Sequence, residues 1–237
     1  MEISVKNHID MLIFHTAVCD EPKQPLIRHA CRKHACGDSH KCSSWRINME
    51  TKNIMIVGVG GQGTLLTSRI LGGIIRKAGY DVKLSEVHGM AQRGGSVVTY
   101  VRYGDVVREP IVEEGQADLL IAFERLEAMR YAHFLKNDGV MIVNDQRMDP
   151  MPVVMGAAEY PKDILKTLEK DHKVISIDAM DEAKKLGNAR VFNTIIIGLA
   201  AKNMDFEKQQ WLDVIAQTVP QKTEEINQKA FLVGYEA

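Results

Sequence analysis

Residues 54–79 read IMIVGVGGQGTLLTSRILGGIIRKAG. An unbroken apolar run meets a knot of glycines and passes into apolar residues at four-residue spacing. The run Ile54–Val59 predicts a strand buried on both faces. Leu66, Ile70 and Ile74, widened by Leu71, Ile75 and Ala78, predict a helix over 62–78. Gly79 is placed to stop it as a left-handed cap. A buried strand that turns through glycines into an amphipathic helix is the first half of a crossover, and crossovers build parallel sheets.

The rest of the chain keeps that alternation. Strands are expected at 81–87, 97–103, 118–122, 140–144 and 173–177. Helices are expected at 124–136, 164–170, 179–186, 191–202, 207–217 and 223–231. In the helix at 191–202, Asn193, Gly198 and Ala200-Ala201 favour close packing. Asn137-Asp138-Gly139 reads as a stop before the strand at 140. Gly104-Asp105 reads as a turn, with 106–111 returning as the second strand of a hairpin. The expected fold is α/β: a Rossmann-like, mixed, mostly parallel sheet with helices on both faces and an inserted hairpin at 97–111.

Gly58, Gly60 and Gly63 satisfy G-x-G-x-x-G, and Gly61 is a fourth glycine. Glycine allows positive φ and close backbone approach. The helix that follows offers free N–H groups and a partial positive charge to an anion, with the Thr64 hydroxyl near its first turn. A tight turn that packs without a ligand is the plain alternative. Glu86 could close a dinucleotide site, which keeps a free-standing NAD(P)-dependent dehydrogenase in view. Against it, a dinucleotide half continues into another crossover helix, and this chain continues into a loop and a β-rich stretch. The turn is not a P-loop, because no Gly-Lys-Ser/Thr follows.

That loop, HGMAQRGGS over 88–96, gathers His88, Gln92, Arg93, Gly94 and Gly95. It leaves the carboxyl end of the second strand, the edge that also carries the glycine turn, so the two loops are expected side by side. Arg93 offers a rigid donor fork suited to phosphate or carboxylate. Alternatively, Gln92 and Arg93 only pin the two loops together. His88 has no Ser, Cys or Asp partner by spacing and reads as structural. Glu124 and Arg125 read as a helix-start charge and a surface pair.

The four cysteines, Cys19, Cys31, Cys36 and Cys42, all precede residue 43, and five of eight histidines precede residue 49. We therefore place a boundary at Met49, with an irregular Cys/His-rich extension at 1–48 and the main domain at 49–237. The spacings C-x11-C, C-x4-C and C-x5-C contain no C-x2-C knuckle and no iron–sulfur run. Three readings stay open for the extension: a metal-binding module, an unstructured leader, or a start assigned too early, with METKNIMIVGVGG from Met49 as the natural one. A net charge of −1 gives no case for nucleic acid as a partner. No apolar run approaches the roughly 20 residues of a membrane span, and the N-terminus lacks a signal-peptide pattern. The expected location is the cytoplasm.

The stretch GVGGQGTLLTSRILGGIIRKAGYDVKLSEVHGMAQRGGSVVTYVRYG, residues 58–104, resembles the gamma-type subunit or domain of the 2-oxoacid:ferredoxin oxidoreductases (the pyruvate/ketoisovalerate type). Within that family it is most similar to the beta subunit of the indolepyruvate enzymes. The paired G-x-G-G-Q-G and GMAQRGGSV signatures carry the likeness, which runs from about Asn53 to near the C-terminus and leaves out 1–48. The resemblance implies oxidative decarboxylation of an aryl 2-oxoacid with coenzyme A as co-substrate and ferredoxin as acceptor. It also implies that thiamine diphosphate and 4Fe–4S clusters sit on a larger alpha subunit. This chain has no G-D-G…N-N thiamine motif and no cluster-binding cysteine run. It is expected to hold no catalytic residue, no metal and no cofactor by itself, and to be inactive alone. On this reading Gly58, Gly60, Gly61, Gln62, Gly63, Thr64, Gln92, Arg93, Gly94 and Gly95 shape a site at the inter-subunit surface beside the coenzyme A phosphates, or dock the large subunit.

Overall fold

A computed structural model of the chain describes residues 50–88 and 94–237. The extension at 1–48, Gln92 and Arg93 lie outside the described residues. Six strands form one sheet: β1 (Lys52–Val59), β2 (Asp81–His88), β3 (Ser96–Gly104), β4 (Ala117–Ala122), β5 (Leu135–Asn144) and β6 (Lys173–Ile177), in the order β2-β3-β1-β4-β5-β6. The pairs β1–β4, β4–β5 and β5–β6 are parallel, while β3 pairs antiparallel with both β1 and β2. The expected mixed, mostly parallel sheet is present.

β1 sits between β3 and β4, which is why its apolar run is unbroken. Ile54 and Ile56 face one core, and Met55 and Val57 face the other. The first core is covered by α1 (Thr64–Lys77), α5 (Ala179–Lys185), α6 (Phe192–Ala201), α7 (Lys208–Thr218) and α8 (Glu224–Glu236). Residues Ile70, Leu71, Ile74 and Ile75 form the buried stripe of α1. At its end the Gly79 N–H donates to Arg76 O at 3.0 Å and the Tyr80 N–H to Ile75 O at 3.3 Å, the Schellman arrangement. The second core is covered by α2 (Arg125–Tyr131) and α4 (Ile164–Leu168), with α3 (Met151–Val154) on the connection between β5 and α4.

Every residue of α6 is buried. Its apolar composition on all sides is that of an internal helix, and α8 packs closely against it. A Cβ on Gly198 would collide with Phe231 O, and one on Gly234 with Ile195 O, so each glycine admits the other helix's backbone.

The antiparallel hairpin is β2–β3, not 97–111. β3 has both edges occupied, by β1 and β2, so 106–111 finds no edge to join and forms no strand. It runs past the end of the sheet where β2 begins and β3 stops. Arg102 donates to Glu109 O at 3.3 Å and Ile111 O at 2.9 Å, Asp81 accepts from the Val107 N–H, and Val112 packs into the second core. Asn137-Asp138-Gly139 does not end a helix either. Helix α2 stops at Tyr131, and the three residues lie within β5, where the register against β4 shifts between Ala117 and Leu119. The turn-forming residues are taken up by an irregularity in the strand.

Candidate functional site

The parallel strands end at Val59, Ala122, Asn144 and Ile177, and β3 begins on the same edge at Ser96. Between Val59 and α1, Gly61 has φ 101° and Gly63, the N-cap of α1, has φ 88°. Both values lie where a side chain is strained. Gly58 is buried; a Cβ there would lie 2.9 Å from Gln62 Oε1 and 3.0 Å from Phe123 Cβ. Thr64 is buried in the first turn of α1, and the Asn193 side chain packs over Gly63.

Gln62 is the fastening of the turn. Its Oε1 accepts from the Val59 N–H at 2.7 Å, and its Nε2 donates to Phe123 O at 3.2 Å, with Met148 Sδ also at 3.2 Å. Asn144 continues the web: Nδ2 donates to Phe123 O at 3.1 Å, and Oδ1 accepts from the Ala179 N–H at 3.1 Å. The amide of Gln62 therefore points into the fold and ties the ends of β1, β4 and β5 together.

The two glycine loops are neighbours, as expected, and they are joined through main chain. The Gly60 N–H donates to Gly95 O at 2.8 Å, and Gly60 O accepts from the Gly94 N–H at 3.4 Å. Gly94, with φ 80°, is exposed, and Gly95 is half-buried. These bonds extend the β1–β3 ladder past Val59 and Ser96, so main chain joins the two loops among the described residues.

A shallow cleft opens beside this joint, lined by Val59, Gly94, Ser96, Leu126, Glu127 and Pro150 among others. Its floor is a polar cluster that the sequence did not reveal. The Ser96 hydroxyl donates to Glu127 Oε2 at 2.5 Å and lies 3.2 Å from the Tyr131 hydroxyl, while Arg130 donates to Glu127 Oε1 at 2.5 Å. Burial holds the Glu127 carboxyl above its ordinary range; the Ser96 hydrogen bond and the Arg130 charge oppose that rise, and the Glu124 charge adds to it.

Glu124 is 1% exposed and fully partnered. One oxygen caps α2 by accepting from the Leu126 and Glu127 N–H groups; the other accepts from the Met148 N–H at 3.1 Å and the Tyr160 hydroxyl at 2.5 Å. It is the helix-start charge read from the sequence, and Arg125 pairs with Asp145. The E-x-x-E spacing of Glu124 and Glu127 marks a helix start, but nothing in it signals burial.

The strand order bears on a dinucleotide. In a dinucleotide half β2 lies beside β1; here β3 stands between them, which moves Glu86 one strand spacing, about 4.8 Å, further from the turn. Among the described residues, no three of His, Cys, Asp and Glu converge as a metal site, and no helix is long and apolar enough to cross a membrane.

Residues 53–237 match the family described as pyruvate ferredoxin/flavodoxin oxidoreductase. The indolepyruvate oxidoreductase subunit IorB of Thermococcus kodakarensis is 40% identical over 195 residues, 80% of this chain and 96% of that protein. The subunit of the same name from Archaeoglobus fulgidus is 41% identical over 188 residues, 77% of this chain and 93% of that one. Among solved structures, the gamma subunit of a keto/oxoacid ferredoxin oxidoreductase from Geobacter sulfurreducens shares the fold. Its TM-score is 0.59 over 78% of this chain and 96% of that chain, at 23% identity.

Proposed function

The chain belongs to the pyruvate ferredoxin/flavodoxin oxidoreductase family, and from that membership we propose that it is the accessory beta subunit of a heteromeric indolepyruvate:ferredoxin oxidoreductase. The observation that carries this is the 40% identity over nearly the whole length of a relative named for that activity. The complex converts an aryl 2-oxoacid and coenzyme A to the aryl-acetyl-CoA. The bond between the carboxylate and the oxo carbon breaks, carbon dioxide leaves, the acyl carbon joins the coenzyme A sulfur as the thiol proton is released to solvent, and two electrons pass to ferredoxin.

Thiamine diphosphate would supply the carbanion chemistry and 4Fe–4S clusters the electron path. The described residues do not fit a cluster: no cysteine lies beyond Cys42, and no three ligand side chains converge. On this reading both groups belong to the larger alpha subunit, ferredoxin is reached through the complex, and the assembly works in the cytoplasm. What this chain brings is a rigid edge. The Gln62 web and the Gly60–Gly95 joint hold the start of α1, a local positive end, at the surface where a partner meets it.

The test is co-expression of the tagged chain with the large subunit. The two should co-purify with thiamine diphosphate and iron, and indolepyruvate- and coenzyme A-dependent ferredoxin reduction should need both. If the large subunit alone reduces ferredoxin at the full rate, the accessory role is wrong. A coenzyme A contact is read from the assembled enzyme. With Arg93→Ala, a rise in the coenzyme A KM with assembly intact supports a phosphate role, an unchanged KM removes it, and loss of assembly assigns the loop to docking.

A further inference from the structure

After β5 the chain leaves the sheet edge, and it returns before α4 as a loop closed at its neck. Glu124 closes it: one carboxylate oxygen accepts from the Met148 N–H on the way out and from the Tyr160 hydroxyl on the way back. The Arg147 guanidinium stands 4.4 Å over the Tyr160 ring. Inside the loop, Pro150 O accepts from the Val153 and Val154 N–H groups, and Pro152 O from those of Ala157 and Ala158. The shape is set by a buried carboxylate and by main-chain bonds, with little packing.

What this frame presents is apolar. Met151, Val154 and Met155 are 65%, 66% and 70% exposed. From Pro150 to Ala158 the sequence is PMPVVMGAA, nine residues without a charge in a chain that is 26% charged. Large apolar side chains held outward on a fixed frame form a surface that water disfavours and a partner can cover. A pre-ordered loop also loses less conformational entropy on binding, and methionine adapts to an irregular surface.

We propose that residues 150–158 are a knob that seats in an uncharged, apolar groove of the larger partner subunit. The proposal rests on the subunit reading above. Two observations select that occupant. The root of the knob, Met148, Asp149 and Pro150, lines the same cleft as Val59, Gly94 and Ser96, so a body seated on the knob also covers both glycine loops. A second copy of this chain is a poorer fit, because its two described clefts carry charge: Glu127, Arg130 and Asp149 stand beside Val59, Leu126 and Pro150 in one, and Arg102, Asp105, Arg108 and Glu109 line the other. Seating an uncharged apolar knob there would desolvate charged groups without giving them a new partner.

The experiment uses the full tagged chain co-expressed with the large subunit, comparing wild type, Met151→Asp/Met155→Asp and Met151→Leu/Met155→Leu. Both side chains are exposed, so both variants should melt within about 2 °C of wild type. The aspartates should weaken association on the order of a hundredfold, enough to lose co-elution, and the leucines should keep it. Wild-type co-elution of the aspartate variant overturns the proposal. So does a free chain that changes from dimer to monomer while large-subunit binding holds, since the knob then serves self-association. If wild type itself fails to co-elute, the subunit reading falls and takes the knob with it.

Discussion

Replacing Gln62 by alanine separates a fastening role from a ligand role. The Val59 N–H loses its acceptor, Gln62 Oε1 at 2.7 Å, and stays buried. Phe123 O loses the Nε2 donor but keeps Asn144 Nδ2 at 3.1 Å. One orphaned buried donor costs about 1–3 kcal/mol, and the gap left against Gly58 and Phe123 adds on the order of 1 kcal/mol. The sum is about 3 kcal/mol, or roughly 9 °C of Tm for a domain of this size. Gln62→Glu is expected to be worse, because its second carboxylate oxygen meets the Phe123 carbonyl. Leu65→Ala, at an exposed position in the first turn of α1, serves as the control and should move Tm little. The assay is thermal unfolding of the chain alone, followed by the coenzyme A KM of the assembled enzyme. A fall under about 2 °C for Gln62→Ala would refute the reasoning, since such a loss is within the range of surface substitutions. A raised KM with that small fall would show the amide facing a ligand.

Glu127 gives stability a pH dependence of defined sign. Its raised carboxyl means the folded chain binds that proton more tightly than the unfolded chain. The associated stability is fully present below its ordinary value of 4.5 and is lost as pH rises through the raised one. The Tm of wild type relative to Glu127→Gln should therefore fall as pH rises from about 4.5 towards 7; a difference that grows over that window would reverse the assignment. Gly198→Ala drives a methyl into the α8 backbone and should cost about 3 kcal/mol in urea unfolding, against less than about 1 for an open, negative-φ surface site. An unaltered urea midpoint would show that α6 and α8 separate freely.

The elements that were legible in the sequence are those whose burial repeats along the chain. β1 lies between two strands and two cores, and its apolar run records that; α1 keeps a helical stripe, and α6 is apolar all round. The return strand at 106–111 was misread because its signal is local, while the vacancy it needed depends on what else pairs with β3. Asn137–Gly139 is the same error in reverse: turn residues are absorbed by a strand whose neighbours hold it. At the site, glycine spacing placed the two loops together, because both leave one sheet edge. The inward direction of Gln62 and the burial of Glu124 and Glu127 were invisible, since an amide or a carboxylate looks the same in sequence whether it faces water or three main-chain groups.

The position of β3 also sets an order of assembly. β2 and β3 are neighbours in sequence and can close as a hairpin, whereas β1 is separated from β3 by α1 and β2. Local closure is the faster event. Until that hairpin docks, one whole side of Lys52–Val59 is an open edge of isoleucine, methionine and valine, the kind of template on which chains aggregate. Docking of the hairpin seals the edge and, in the same motion, brings Gly94 and Gly95 to Gly60. The glycine joint is thus the lock on the sheet's most hazardous seam, so a nascent chain passes through its aggregation-prone interval before that joint exists and leaves the interval when it forms.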